Sequence, residues 1–204
     1  MTGRVVVLAS GAGSNLQALI DASLSGVLGA DIVAVVSNVP SCGALARASA
    51  HGIPGEAVEL VAGEKRTQYD TRLSRVVGPH RPDLVVLAGW MRILTDAFLD
   101  SVGAPVVNLH PALPGQFPGV DAIGRAWAER HDGRTESGVM VHLVPDEGVD
   151  DGPVIAVCTV PLQPTDSLAE FTARMHAAEH RLIVGAVSEA LRVPDQRTKE
   201  QLHR

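Results

Sequence analysis

The sequence predicts an α/β fold: a single-domain, open, mostly parallel twisted sheet with helices on both faces. Three observations carry that prediction. Short apolar runs without polar alternation recur through the first half, as strands buried on both faces require. Stretches with apolar residues at helical spacing separate them, the alternation that builds parallel sheets. No repeat, linker or low-complexity tract divides the 204 residues, a length that suits one domain with a sizeable core. The domain is expected to span residues 1–193, with 194–204 as a polar tail.

In chain order, Val5–Ala9, Ile32–Ser37, Leu84–Ala88 and Val106–Leu109 read as buried parallel strands. Leu16–Leu24, Gly43–Ala50 and Lys65–Val77 read as the intervening helices. The second half changes character. Gly138–Val144 and Pro153–Pro161 are longer strand-like segments separated by a turn rich in Asp and Gly. A helix over Ser167–Leu191 closes the domain. Thr165 and Asp166 are offered as its N-caps, and Leu168, Phe171, Met175, Ile183 and Val187 as its apolar face.

Composition narrows the function. Aromatics are only 3% of a chain that is 46% hydrophobic, so Val, Leu, Ile and Ala must fill the core. A net charge of −6 without a basic stripe argues against nucleic-acid binding. It also requires that any positive potential for an anionic substrate be local. Cys42 and Cys158 form no CxxC, which fits packing roles in a reducing compartment and excludes a thiolate zinc cluster. The apolar start Val5–Ala9 is too short for a signal segment and no run approaches a membrane span, so the expected location is cytoplasmic.

Two motifs carry chemistry. The strand Val5–Ala9 runs into Ser10-Gly11-Ala12-Gly13-Ser14-Asn15 and then a helix, a context in which free N–H groups bind an anion. Leu16 stands where a dinucleotide fingerprint has its third glycine, and the second strand ends at Ser37-Asn38 without an acidic residue. A single phosphate on Gly13, Ser14 and Asn15 fits better, with a simple capped turn as the alternative. The second motif is Asn108-Leu109-His110-Pro111, followed after the next strand by Asp146. An amide donates to an oxyanion, an imidazole moves a proton, and a carboxylate orients the imidazole and raises its pKa. No Ser or Cys sits in a nucleophile elbow, so the nucleophile is expected to come with the substrate.

Taken with Leu87-Ala88-Gly89-Trp90-Met91-Arg92-Ile93-Leu94, these motifs make residues 4–191 resemble the folate-dependent glycinamide ribonucleotide formyltransferases. The resemblance implies a Rossmann-like formyltransferase fold and formyl transfer from 10-formyltetrahydrofolate, as co-substrate, to the amine of glycinamide ribonucleotide in purine synthesis. It implies that Gly13, Ser14 and Asn15 hold the nucleotide phosphate and that Glu179 touches its ribose. It implies that Arg66, Met91, Arg92, Ile93, Leu94 and Asn108 meet the folate. Asn108, a protonated His110 and Asp146 become the catalytic trio. The segment Leu113–Asp121 departs from relatives, which have Leu-Leu-Pro and a His where this chain has Asp121; His176 replaces a Gln or Lys. The partners so implied are small molecules, with no metal, nucleic acid or membrane, and with a monomer or homodimer.

His176-Ala177-Ala178-Glu179-His180 also matches a helical zinc motif, but a third ligand is not apparent from the sequence. Two other readings stay open: a 10-formyltetrahydrofolate hydrolase, and a non-catalytic folate- or nucleotide-binding module.

Overall fold

A computed structural model describes residues 2–192; the expected tail, 194–204, lies outside the described residues. The apolar runs become β1 (Gly3–Leu8), β2 (Ala30–Ser37), β4 (Leu84–Leu87) and β5 (Val106–His110), and a three-residue strand β3 (Gly55–Ala57) joins them. β6 (Glu136–Leu143) and β7 (Val154–Pro161) complete a seven-stranded sheet of order β3-β2-β1-β4-β5-β6-β7. β1 to β5 pair in parallel, whereas β6 and β7 add antiparallel strands at one side. The sheet is therefore mostly parallel, as expected.

Period-two alternation explains why the central strands lack polar residues: each side chain meets one core or the other. In β1, Val5 and Val7 face one apolar cluster and Val6 and Leu8 face the other. In β4, Leu84 and Val86 share the first cluster, Val85 and Leu87 the second. The first core is covered by α1 (Ser14–Leu24), α2 (Gly43–Ala50), α5 (Ala122–Ala128) and α6 (Leu168–Ala190). The second is covered by α3 (Arg66–Val77) and α4 (Asp96–Leu99). Helices thus lie on both faces, burying the strands from two sides.

Three details differ from the sequence expectation. The N-cap of α6 is Ser167, whose hydroxyl and Glu170 form a reciprocal capping box. Asp166 instead accepts from the backbone N–H of Gln163 and pairs with Arg174. Leu168 is 42% exposed and lies off the apolar face, while Phe171, Met175, Ile183 and Val187 are fully buried. The elements that the sequence pattern missed, β3, α4 and α5, have three, four and seven residues, too few for a periodicity to emerge.

β1 pairs with β2 on one side and β4 on the other, so successive connections leave β1 in opposite directions. A crevice opens beyond the carboxyl ends of the strands at such a point. The N–H of Ser10 bonds to the carbonyl of Gly89 at 3.0 Å and closes its floor.

Candidate active site

The crevice is a cleft of roughly 790 Å³ lined by the glycine turn after β1, the segment after β4, the end of β5 and the loop between β6 and β7. α6 contributes His176 and Glu179 to its wall.

β5 ends on Asn108 and His110, which period two places on the same side of the strand. Antiparallel pairing sets Asn108 opposite His142 of β6. The three side chains meet one carboxylate, that of Asp150. Asn108 Nδ2 donates to Asp150 Oδ1 at 2.9 Å, His110 Nδ1 lies 3.2 Å from Oδ2, and His142 Nε2 lies 3.6 Å from Oδ1. The N–H of Gly119 also donates to Oδ2 at 2.8 Å. His142 Nδ1 donates to the carbonyl of Leu143 at 2.8 Å, and its Nε2 lies 3.2 Å from Asn108 Nδ2. Asp150 and His142 thereby hold the Asn108 amide in one orientation.

This corrects one sequence expectation. The position beside His110 belongs to Asp150, not to Asp146. Asp146 lines the cleft, but its carboxylate folds back to accept from the N–H of Gly148 at 2.8 Å. The physical difference lies in the turn's backbone: Asp150 adopts a left-handed φ of 56° and bonds to β5 and to Gly119. Asp146, Glu147, Asp150 and Asp151 crowd one turn, and composition alone does not distinguish them. His142 was missed as well; its register opposite Asn108 is the signal, and it exists only once the sheet is paired.

The electrostatics follow from burial. His110 is 3% exposed. Burial lowers its pKa below the ordinary imidazole value, against the opposing pull of the Asp150 charge and the carbonyls of Phe117 and Gln116. Burial thus works against the imidazolium that the resemblance implies, and the Asp150 charge works for it. Burial alone would raise Asp150, but His142, the Gly119 N–H and the His110 charge outweigh it and hold the carboxyl below its usual value. His110 Nε2–H donates to the carbonyl of Phe117 at 3.0 Å, leaving Nδ1 as the atom that gains and loses a proton.

That carbonyl is set by the loop the sequence marked as unusual. Phe117 holds a left-handed φ of 47°, and Asp121, at φ 54°, precedes α5. Arg125 donates to the carbonyls of Phe117 and Pro118 at 2.6 and 2.8 Å, and Arg125 and Arg134 lie over the Phe117 ring. The loop is thus bonded at several points despite its two strained residues.

At the other end, Gly13 is the N-cap of α1 with φ 75°. A Cβ there would sit 2.7 Å from Ala44 Cα, so only glycine suits. The N–H groups of Ala12, Gly13 and Ser14 meet no acceptor among the described residues. No acidic residue occupies the first turn of α1, which leaves the helix N-terminus positive. Asn15 Nδ2 donates to Glu179 at 2.9 Å, so those two expected site residues are in contact.

The segment after β4 alternates between core and cleft. Trp90 and Leu94 are buried in the second core, while Met91 and Ile93 are 65% and 43% exposed. Arg92 stacks on Tyr69 with its guanidinium carbon 4.6 Å from the ring centre and meets no carboxylate among the described residues. Arg66 does not line the cleft; its guanidinium pairs with Glu147 at 3.1 Å. Among the described residues no three His, Cys, Asp or Glu side chains gather as a metal site, and Glu179 of the zinc-like motif is engaged by Asn15.

Residues 3–187 match the formyl transferase family. A phosphoribosylglycinamide formyltransferase from Schizosaccharomyces pombe is 41% identical over 206 residues, covering 94% of this chain and 98% of that protein. One from Escherichia coli is 39% identical over 178 residues, 87% of this chain and 82% of that protein. The crystal structure of glycinamide ribonucleotide transformylase 1 from Geobacillus kaustophilus aligns with a TM-score of 0.86 at 34% identity, covering 94% of this chain and all of that one.

Proposed function

The chain belongs to the formyl transferase family and is a formyltransferase, and from that premise we propose that it passes a formyl group from 10-formyltetrahydrofolate to the amine of glycinamide ribonucleotide, a step of cytosolic purine synthesis. The observation that carries this reading is the convergence of Asn108 Nδ2 and His110 Nδ1 on the two oxygens of Asp150, at 2.9 and 3.2 Å. An amide N–H and a proton-accepting imidazole set against one carboxylate suit the oxyanion and the proton transfer of a tetrahedral intermediate.

In this reading the nucleotide phosphate rests on the N–H groups of Gly13, Ser14 and Asn15, with Glu179 at the ribose. The folate lies on Met91, Arg92, Ile93 and Leu94. Exposed Met91 and Ile93 supply an apolar surface, and the unpaired Arg92 guanidinium suits an anionic tail. A direct contact from Arg66 requires its pair with Glu147 to open.

The substrate amine attacks the formyl carbon, and the carbonyl π electrons move to oxygen. Asn108 donates to that oxyanion. His110 Nδ1 takes a proton from the new ammonium centre, and the Asp150 charge stabilises the imidazolium so formed. As the intermediate collapses, the carbonyl reforms, the bond to folate N10 breaks, and the proton passes to that nitrogen. The products are the formamide and tetrahydrofolate, with no covalent enzyme species.

The test is the absorbance change of 10-formyl-5,8-dideazafolate with purified protein. Deformylation that depends on glycinamide ribonucleotide and disappears in His110→Ala supports the transfer. Deformylation without the nucleotide replaces it by the hydrolase, and folate binding without turnover by the binding module.

A further inference from the structure

The anion loop is held from behind. Three successive carbonyls of the glycine turn are each committed to a donor outside the cleft. Gly11 O accepts from Ala44 N at 3.1 Å, Ala12 O from Arg47 Nε at 2.9 Å, and Gly13 O from Gln17 N at 2.9 Å. A carbonyl and the N–H of the following residue belong to one planar peptide and point in opposite directions. Turning the Gly11 and Ala12 carbonyls toward α2 therefore turns the Ala12 and Gly13 N–H groups the other way, where they meet no acceptor among the described residues.

Two of these three donors are backbone and cannot be exchanged by substitution. The third is a side chain with a charge. Arg47 sits one turn into α2, half-buried, and its Nη1 donates to Gln17 Oε1 at 3.1 Å, which fixes the plane of the guanidinium. No carboxylate pairs with it among the described residues. The packing around it leaves little slack: a Cβ on Gly43 would lie 2.7 Å from Ala12 O. An uncompensated cation behind an N–H cradle is the local positive potential that a chain of net charge −6 needs for an anion.

We infer that Arg47 is a positioning residue for the phosphate of the substrate, acting through the Ala12 carbonyl to present the loop N–H groups and adding an unpaired positive charge beside them. This rests on the glycine turn being the nucleotide-phosphate site. Arg47 does not line the cleft and touches no reacting atom.

The experiment measures kcat, and KM for both substrates, in Arg47→Met and Arg47→Lys, with calorimetric titration of glycinamide ribonucleotide and of inorganic phosphate into the same proteins. Arg47→Met is expected to weaken nucleotide and phosphate binding about tenfold, the scale of one charge-assisted hydrogen bond. The kcat at saturation and the folate KM are expected to stay within about twofold, the signature of lost uniform binding. Arg47→Lys, with the charge and one donor but no planar fork, is expected to recover part of the loss. Unchanged nucleotide and phosphate affinity in Arg47→Met overturns the inference and leaves the formyl-transfer reading standing. A fall in kcat and folate affinity together with the melting temperature assigns Arg47 to packing instead, and also overturns it. Wild-type protein that binds neither the nucleotide nor phosphate removes the phosphate site itself, and the inference with it.

Discussion

Replacing Asp150 by Asn separates two carboxylates that composition cannot tell apart. The substitution keeps size and shape, and Asn tolerates the left-handed φ of 56° that Asp150 holds. It removes the charge that faces His110 Nδ1 at 3.2 Å. A pair of unit charges at that separation interacts by about 5 kcal/mol at an effective dielectric of about 20. The Asn carbonyl retains part of this, because it still accepts a hydrogen bond. The expected loss in transition-state stabilisation is then about 3–4 kcal/mol, or a kcat lower by about 10²–10³-fold. Asp146→Asn, whose carboxylate accepts only from the N–H of Gly148 among the described residues, is expected to change kcat less than about threefold. Both variants are assayed with the deazafolate donor at saturating nucleotide, with folding checked by thermal denaturation. Equal losses in the two variants, or an Asp150→Asn enzyme with more than about a tenth of wild-type kcat, would refute the assignment.

Other consequences are equally direct. Asn108→Ala removes an oxyanion donor and is expected to lower kcat by about 10²–10³-fold while the fold survives; near-normal turnover would remove Asn108 from the mechanism. Gly13→Ala places a Cβ 2.7 Å from Ala44 Cα at a φ of 75°. It should cost about 1–3 kcal/mol of stability in chemical denaturation and raise the nucleotide KM, and an unperturbed KM would argue against the phosphate site. The pH dependence of stability has a definite sign. His110 and Asp150 both have lowered pKa values in the folded protein, so the unfolded chain binds more protons across each window. The His110 contribution is present above its ordinary value of 6.5 and is lost as pH falls through the lower, folded value. The Asp150 contribution is lost in the same direction, below its ordinary 3.8. Denaturation midpoints measured from about pH 7 down to about pH 5 at constant ionic strength should fall for the wild type and fall less for His110→Ala. A wild-type midpoint that rises toward acid contradicts the burial argument.

The parallel strands, the principal helices and the location of the cleft were legible in the sequence because each depends on local pattern. Unbroken apolar runs such as Val5–Ala9 must be buried twice, and only helices on both faces accomplish that. The glycine turn was legible because strand, glycines and helix are consecutive, so the chain itself brings its N–H groups together. Asn108 and His110 share one strand and needed no tertiary information to be placed side by side.

Contacts between separate segments were decided only by the tertiary structure. The choice of Asp150 over Asp146 depends on one left-handed residue and on Gly119, 31 positions away, which binds the same carboxylate. His142 enters the site through antiparallel register, and Arg66 turns to Glu147, 81 positions away. The protonation of His110 follows the same rule. A sequence shows which groups titrate, but burial and the distance to each neighbouring charge set the direction of the shift, and those exist only once the chain has packed.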